Sequence, residues 1–184
     1  VKKKWSAWLR AWHWLNAISV LFLGVSGILI MQGDELEDFA IRPHVLMGFV
    51  FTSLVVLRFI RMGFGDTRTL SDAKHYATQA LAMLKKQGLP RNRADFHVFH
   101  KAGIKGGYIG VFALLAGFVA TGLSMVVMSQ MGSPEEYRHI AKEAHEILFY
   151  LMLIFIPLHV GGVVLAELTD EPNITSDMIH GGKE

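Results

Sequence analysis

The chain has 184 residues, 52% hydrophobic and 18% charged, with a net charge of +2. So apolar a composition excludes an ordinary soluble domain and predicts a single membrane-embedded domain over residues 1–184. There is no cysteine, which excludes disulfides, iron–sulfur clusters, thiolate metal sites and thioether-linked c-type haem.

Four apolar stretches run through the chain, about Trp14–Met31, Val45–Ile60, Ile104–Met128 and Ile147–Leu168. Each approaches the ~20 residues that span a bilayer core, and none alternates as a strand would. The predicted fold is an all-α, four-helix integral membrane bundle. Between the second and third stretches, Ser71–Gln87 carries Ala and Leu at helical spacing, with Ser71 as a candidate cap and Gly88-Leu89-Pro90 as a stop. It reads as a short amphipathic helix on the cytoplasmic surface. Pro157 lies inside the fourth stretch and is expected to bend it.

Basic residues set the orientation. Lys2, Lys3, Lys4 and Arg10 precede the first stretch, and Arg58 to Lys105 crowd the long middle segment with ten more. The loops near 32–43 and 129–143 hold only Arg42, Arg138 and Lys142. Both termini and the middle loop are therefore expected in the cytoplasm of a bacterium, with the bundle in its inner membrane. A signal peptide is the competing reading of the first stretch, but no small-x-small cleavage site follows the apolar run.

His145 and His159 stand fourteen residues apart on the fourth stretch. Fourteen residues are almost four whole turns, so both imidazoles share a face at levels roughly 21 Å apart. His13 and His44 open the first and second stretches. Antiparallel order places His13 at the depth of His159, and His44 at that of His145. Intramembrane histidines are costly and usually face a bundle interior. Four of them in two layers point to two stacked haems b with paired histidine ligands. Gly24 and Gly48 lie near whole turns from His13 and His44. They would let a porphyrin approach the backbone, or serve helix–helix contact. Arg58, fourteen residues after His44, would neutralise a haem propionate, or snorkel to lipid headgroups.

A haem-free transition-metal transporter is the rival reading. It would need carboxylates beside the histidines, and Glu167 lies only at the end of the fourth stretch. The zinc-protease pattern is absent, because Phe149 stands where a second histidine would follow His145-Glu146.

The residues themselves resemble a known family, bacterial cytochrome b561 and the b-type cytochromes of nickel–iron hydrogenases, related to the γ subunit of membrane formate dehydrogenase. Arg10-Ala-Trp-His13-Trp-Leu-Asn16-Ala matches the R-x-x-H-W-x-N/H-A of its first helix. The His145/His159 spacing matches its paired ligands. The run from Glu171 through Asn173, Met178-Ile179 and Gly181 to Lys183 resembles its tail. Arg61 stands where the family often has a Trp, and Lys101 where the formate dehydrogenase relatives have an Asn. The resemblance implies a four-helix cytochrome with two non-covalent haems b on His13, His44, His145 and His159, exchanging electrons with the quinone pool.

Bis-histidine iron keeps no open position, so it suits electron transfer. An extrinsic dehydrogenase, hydrogenase, reductase or multihaem c-type subunit is expected to supply the catalysis. Membrane lipid is an expected neighbour and nucleic acid is not. The alternative within this fold is a free-standing superoxide:quinone-type oxidoreductase, which would need a basic outer funnel. Asp34, Glu35, Glu37, Asp38, Glu135 and Glu136 make that face acidic instead. For the quinone itself, Asn16, His97, His100 and Lys101 cluster at the cytoplasmic level by register. His97 and His100 would otherwise anchor the third helix among headgroups. The remaining ring nitrogens of the ligands are expected to donate to backbone or side-chain acceptors.

Overall fold

The computed structural model describes residues 5–65, 68–88, 93–169 and 173–182. Among them the chain forms six helices and no strand: α1 Ala7–Met31, α2 Asp34–Gly65, α3 Arg68–Gln87, α4 Arg93–Gln130, α5 Glu135–Thr169 and α6 Ile174–His180. α1, α2, α4 and α5 are long and apolar enough to cross a membrane. The class is the expected all-helical, four-helix membrane bundle.

The helices are longer than their apolar stretches. α2 begins ten residues before His44 and runs through Pro43, while α5 begins ten residues before His145 and continues through Pro157. All four histidines therefore lie inside helices rather than at their starts. The physical cause is visible in the first turn of α5, where Glu135 and Glu136 favour the positive end of the helix dipole. The expected loops at 32–43 and 129–143 shrink to the two residues 32–33 and the four residues 131–134. Gly33 (φ 73°) and Gly132 (φ 63°) adopt the left-handed conformation that such tight reversals require. α3 starts at Arg68, so Ser71 falls within the helix and not at its cap.

The chain divides into two compact units, Val1–Arg58 with Gly117–Glu184, and Phe59–Ala116. In the second, the Phe59 and Phe112 rings meet edge to face at 5.7 Å, and Ala80 and Leu115 are buried. The first unit holds α1, α5, α6, most of the apolar length of α2 and the end of α4 from Gly117. The packing of α1 inverts that of a soluble helix. The buried residues of α1 are Asn16, Ser19 and Ser26, while Leu15, Ile18, Leu21 and Val25 are exposed. In lipid there is no water to reward apolar burial, so small and polar residues turn inward. Each donates a hydrogen bond within its own helix. Ser19 donates to Leu15 O at 2.8 Å, Ser26 to Phe22 O at 2.8 Å, and Asn16 Nδ2 to Trp12 O at 2.8 Å.

The C-terminal α6 is latched to α1. Arg10 Nη1 donates to Ile179 O at 2.8 Å, Trp14 Nε1 to Met178 O at 3.2 Å, and Trp5 N to Gly181 O at 3.3 Å. The tail motif and the Arg10–His13 motif, far apart in sequence, thus form one end of the unit.

Candidate functional site

The first unit brings the four histidines together as two pairs. The His13 and His159 ring centroids lie 6.2 Å apart, and those of His44 and His145 lie 6.3 Å apart. α1 and α5 each serve both levels, because each is a continuous helix of well over fourteen residues.

Around His44 and His145 the ring orientation is held by hydroxyls. Ser26 Oγ lies 2.9 Å from His44 Nδ1, and Thr121 Oγ1 lies 2.7 Å from His145 Nδ1. Each hydroxyl has one proton, and each gives it to a carbonyl one turn back: Ser26 to Phe22 O, Thr121 to Gly117 O, both at 2.8 Å. The hydroxyl oxygen must therefore accept from the ring. That places the ring proton on Nδ1 and leaves the Nε2 lone pair open to a metal. Two glycines make room beside the rings. A Cβ on Gly27 would sit 3.7 Å from His44 Cε1, and one on Gly122 would sit 3.6 Å from His145 Cε1. Phe118 meets the His145 ring edge-on at 5.1 Å.

The His13–His159 pair is set differently. His159 stacks on Phe155, one turn earlier, at 5.6 Å and 14°. His13 Nδ1 is buried with no hydrogen-bond partner among the described residues. Beside it, Trp12 donates to Leu54 O at 2.8 Å and lies under the Arg58 guanidinium, 5.4 Å from the ring centre.

Other residues singled out from the sequence fall as follows. Asn16 is 6% exposed, and its Oδ1 finds no partner among the described residues. A Cβ on Gly24 would approach Phe149 at 4.0 Å, and one on Gly48 would meet nothing within 4 Å. His97, His100 and Lys101 lie on the early turns of α4, and their side chains are outside the described residues. Ser26, Gly27, Thr121 and Gly122 were not singled out from the sequence. The available signal was a hydroxyl followed by a glycine inside an apolar span, Ser26-Gly27 and Thr121-Gly122.

A membrane-spanning helical unit that presents paired imidazoles at two levels has the layout of a b-type cytochrome. The match to a family of known proteins agrees. The model of the prokaryotic cytochrome b561 family matches residues 4–181, and the chain belongs to that family. It is also similar to a probable Ni/Fe-hydrogenase B-type cytochrome subunit of Cupriavidus necator, 21% identical, with 94% of this chain and 83% of the relative covered. No solved structure matches the chain. Membership implies a multi-pass membrane protein that transfers electrons across the membrane and binds haem b.

The residues present fit that group. A first-row metal bonded at about 2.0 Å to one nitrogen of each ring would fit between imidazoles whose centroids lie roughly 6.3 Å apart. Both observed separations, 6.2 and 6.3 Å, agree with this. Among the described residues no group of three or more His, Cys, Asp or Glu is arranged around a metal. Two nitrogen donors suit a metal whose other ligands come from a macrocycle.

Proposed function

We propose that this chain conducts electrons across the membrane through two haems b, linking an extrinsic redox subunit to the quinone pool. His13 and His159 would hold one haem, and His44 and His145 the other. The observation that carries this reading is the near-identical separation of the two imidazole pairs. When bound, haem b supplies a one-electron iron couple. The chain's part would be to supply two imidazole nitrogens at each level, with Ser26 and Thr121 holding the His44 and His145 rings, and to leave the iron no open position.

Arg58, held over Trp12 beside His13, would balance propionate charge at that level. Gly24 and Gly48 would pass the porphyrin edge. Asn16 offers a buried amide oxygen without a partner among the described residues, and supports a quinone site near His13; His97, His100 and Lys101 belong to the second unit. The excess of Lys and Arg before α1 and between α2 and α4 supports cytoplasmic termini in a bacterial inner membrane.

The hydrogenase relative's name supports a partner enzyme subunit. The acidic start of α2 and α5 suits docking of a basic surface. Arg138 and Lys142 pair with Glu135 and Glu146 of their own helix, both at 3.8 Å, which leaves little positive field to draw in an anion such as superoxide.

The test is haem stoichiometry. The pyridine haemochrome of the purified chain should give two haems b per polypeptide. His44→Ala and His145→Ala should each lose the same one, and His13→Ala and His159→Ala the other. Loss of one and the same haem in His13→Ala and His145→Ala would refute the pairing.

A further inference from the structure

The two imidazole pairs differ in what lies behind the rings. Both Nδ1 atoms of the His44–His145 pair reach a hydroxyl, at 2.9 and 2.7 Å. At the other level His13 Nδ1 has no partner among the described residues, and His159 meets an aromatic face instead. The hydroxyls come from two different helices, α1 and α4, and serve rings on two others, α2 and α5. Each is locked by its own proton to a carbonyl one turn back. Ser26 is 5% exposed, so water does not compete for its oxygen. Each is followed by a glycine whose missing side chain leaves the ring's Cε1 edge clear.

We infer that Ser26 and Thr121 are paired positioning residues that set the ring planes of His44 and His145 and lower the reduction potential of the iron those rings share. This inference rests on the two-haem reading above. The physical cause is polarisation. A ring N–H becomes a stronger donor when its other nitrogen is bonded to a more positive metal. A fixed acceptor at Nδ1 therefore stabilises the oxidised iron more than the reduced iron. An iron held by His13 and His159 would have no such acceptor at His13 Nδ1 among the described residues. Ser26 and Thr121 would thus make the two haems unequal through the rings they hold.

The experiment is a potentiometric titration of the full chain in detergent, followed in the haem α-band and by electron paramagnetic resonance. It compares the wild type with Ser26→Ala, Thr121→Val, their combination, and the hydroxyl-retaining Ser26→Thr and Thr121→Ser. Each loss of a hydroxyl should move one and the same haem to higher potential. A net neutral hydrogen bond corresponds to on the order of a fivefold change in the oxidised-to-reduced ratio. At ~59 mV per tenfold for one electron, that is ~40 mV. The combined variant should move it further, with an altered low-spin signal from the freed rings, while the second haem and the hydroxyl-retaining variants stay at the wild-type values. Loss of that haem from the alanine and valine variants alone, with retention in Ser26→Thr and Thr121→Ser, also supports the assignment.

Unchanged potentials and signals in the combined variant would overturn it. So would equal effects in variants that keep the hydroxyl. A wild-type titration with a single haem, or Ser26→Ala and Thr121→Val acting on different haems, would instead refute the two-haem pairing itself.

Discussion

The Arg58 guanidinium lies 5.4 Å from the centre of the Trp12 ring, one residue before His13. Trp12 is held in turn by its bond to Leu54 O, one turn before Arg58 on α2. The cation is thus placed by a ring from another helix, an arrangement worth about 0.5–2 kcal/mol. A positive charge near an iron favours its reduced form. Arg58→Leu should therefore lower the potential of the His13–His159 haem, on the order of tenfold in the reduced-to-oxidised ratio, ~59 mV. The His44–His145 haem should not move. Redox titration of the variant reads both, and a shift confined to the second haem would contradict the placement.

Gly27 and Gly122 should tolerate a methyl but not a larger side chain. A Cβ at either sits in ordinary van der Waals contact with a ring, at 3.7 and 3.6 Å. Gly27→Ala should leave haem content unchanged. Gly27→Leu and Gly122→Leu should push the ring aside and cut the haemochrome yield from two haems to one. Both losses should match the haem missing from His44→Ala. A full complement in both leucine variants would show that these glycines serve only helix contact.

Orientation follows from charge and is checked by labelling. Cysteines placed at Ser71, whose side chain lies outside the described residues, and at Ser133 in the short α4–α5 connection should react with an impermeant thiol reagent from opposite sides. The chain has no cysteine of its own to interfere. Ser133 should label in intact cells and Ser71 only in inverted vesicles. The reverse pattern would turn the protein over.

Quinone exchange is expected at the level of His13. Asn16 buries an amide oxygen with no partner among the described residues, one turn from His13. Asn16→Ala should slow haem reduction by quinol roughly tenfold or more without removing either haem, since a hydrogen bond in a buried site is worth about 1–3 kcal/mol. Stopped-flow reduction against the static spectrum separates the two effects. An unchanged rate, with a quinone analogue perturbing only the His44–His145 haem, would move the site to the other face.

The helical bundle and the histidine levels were legible in the sequence because both rest on short-range periodicity. An apolar run of membrane length has only one backbone solution when it crosses lipid alone. A spacing of fourteen residues keeps His145 and His159 on one face whatever surrounds them. Antiparallel order then limits which histidines can meet, and the rings of His13 with His159 and of His44 with His145 do meet. Helix ends were not legible from hydropathy, because a helix continues past the apolar core for as long as its backbone bonds itself, as α2 and α5 do for ten residues before their histidines. The hydroxyls behind the rings were decided by tertiary structure alone. Ser19 and Ser26 look alike in sequence, and each bonds the carbonyl four residues back. Only the approach of α2 makes Ser26 the acceptor for His44, since an oxygen already satisfied within its own helix carries no local sign of the second bond it accepts.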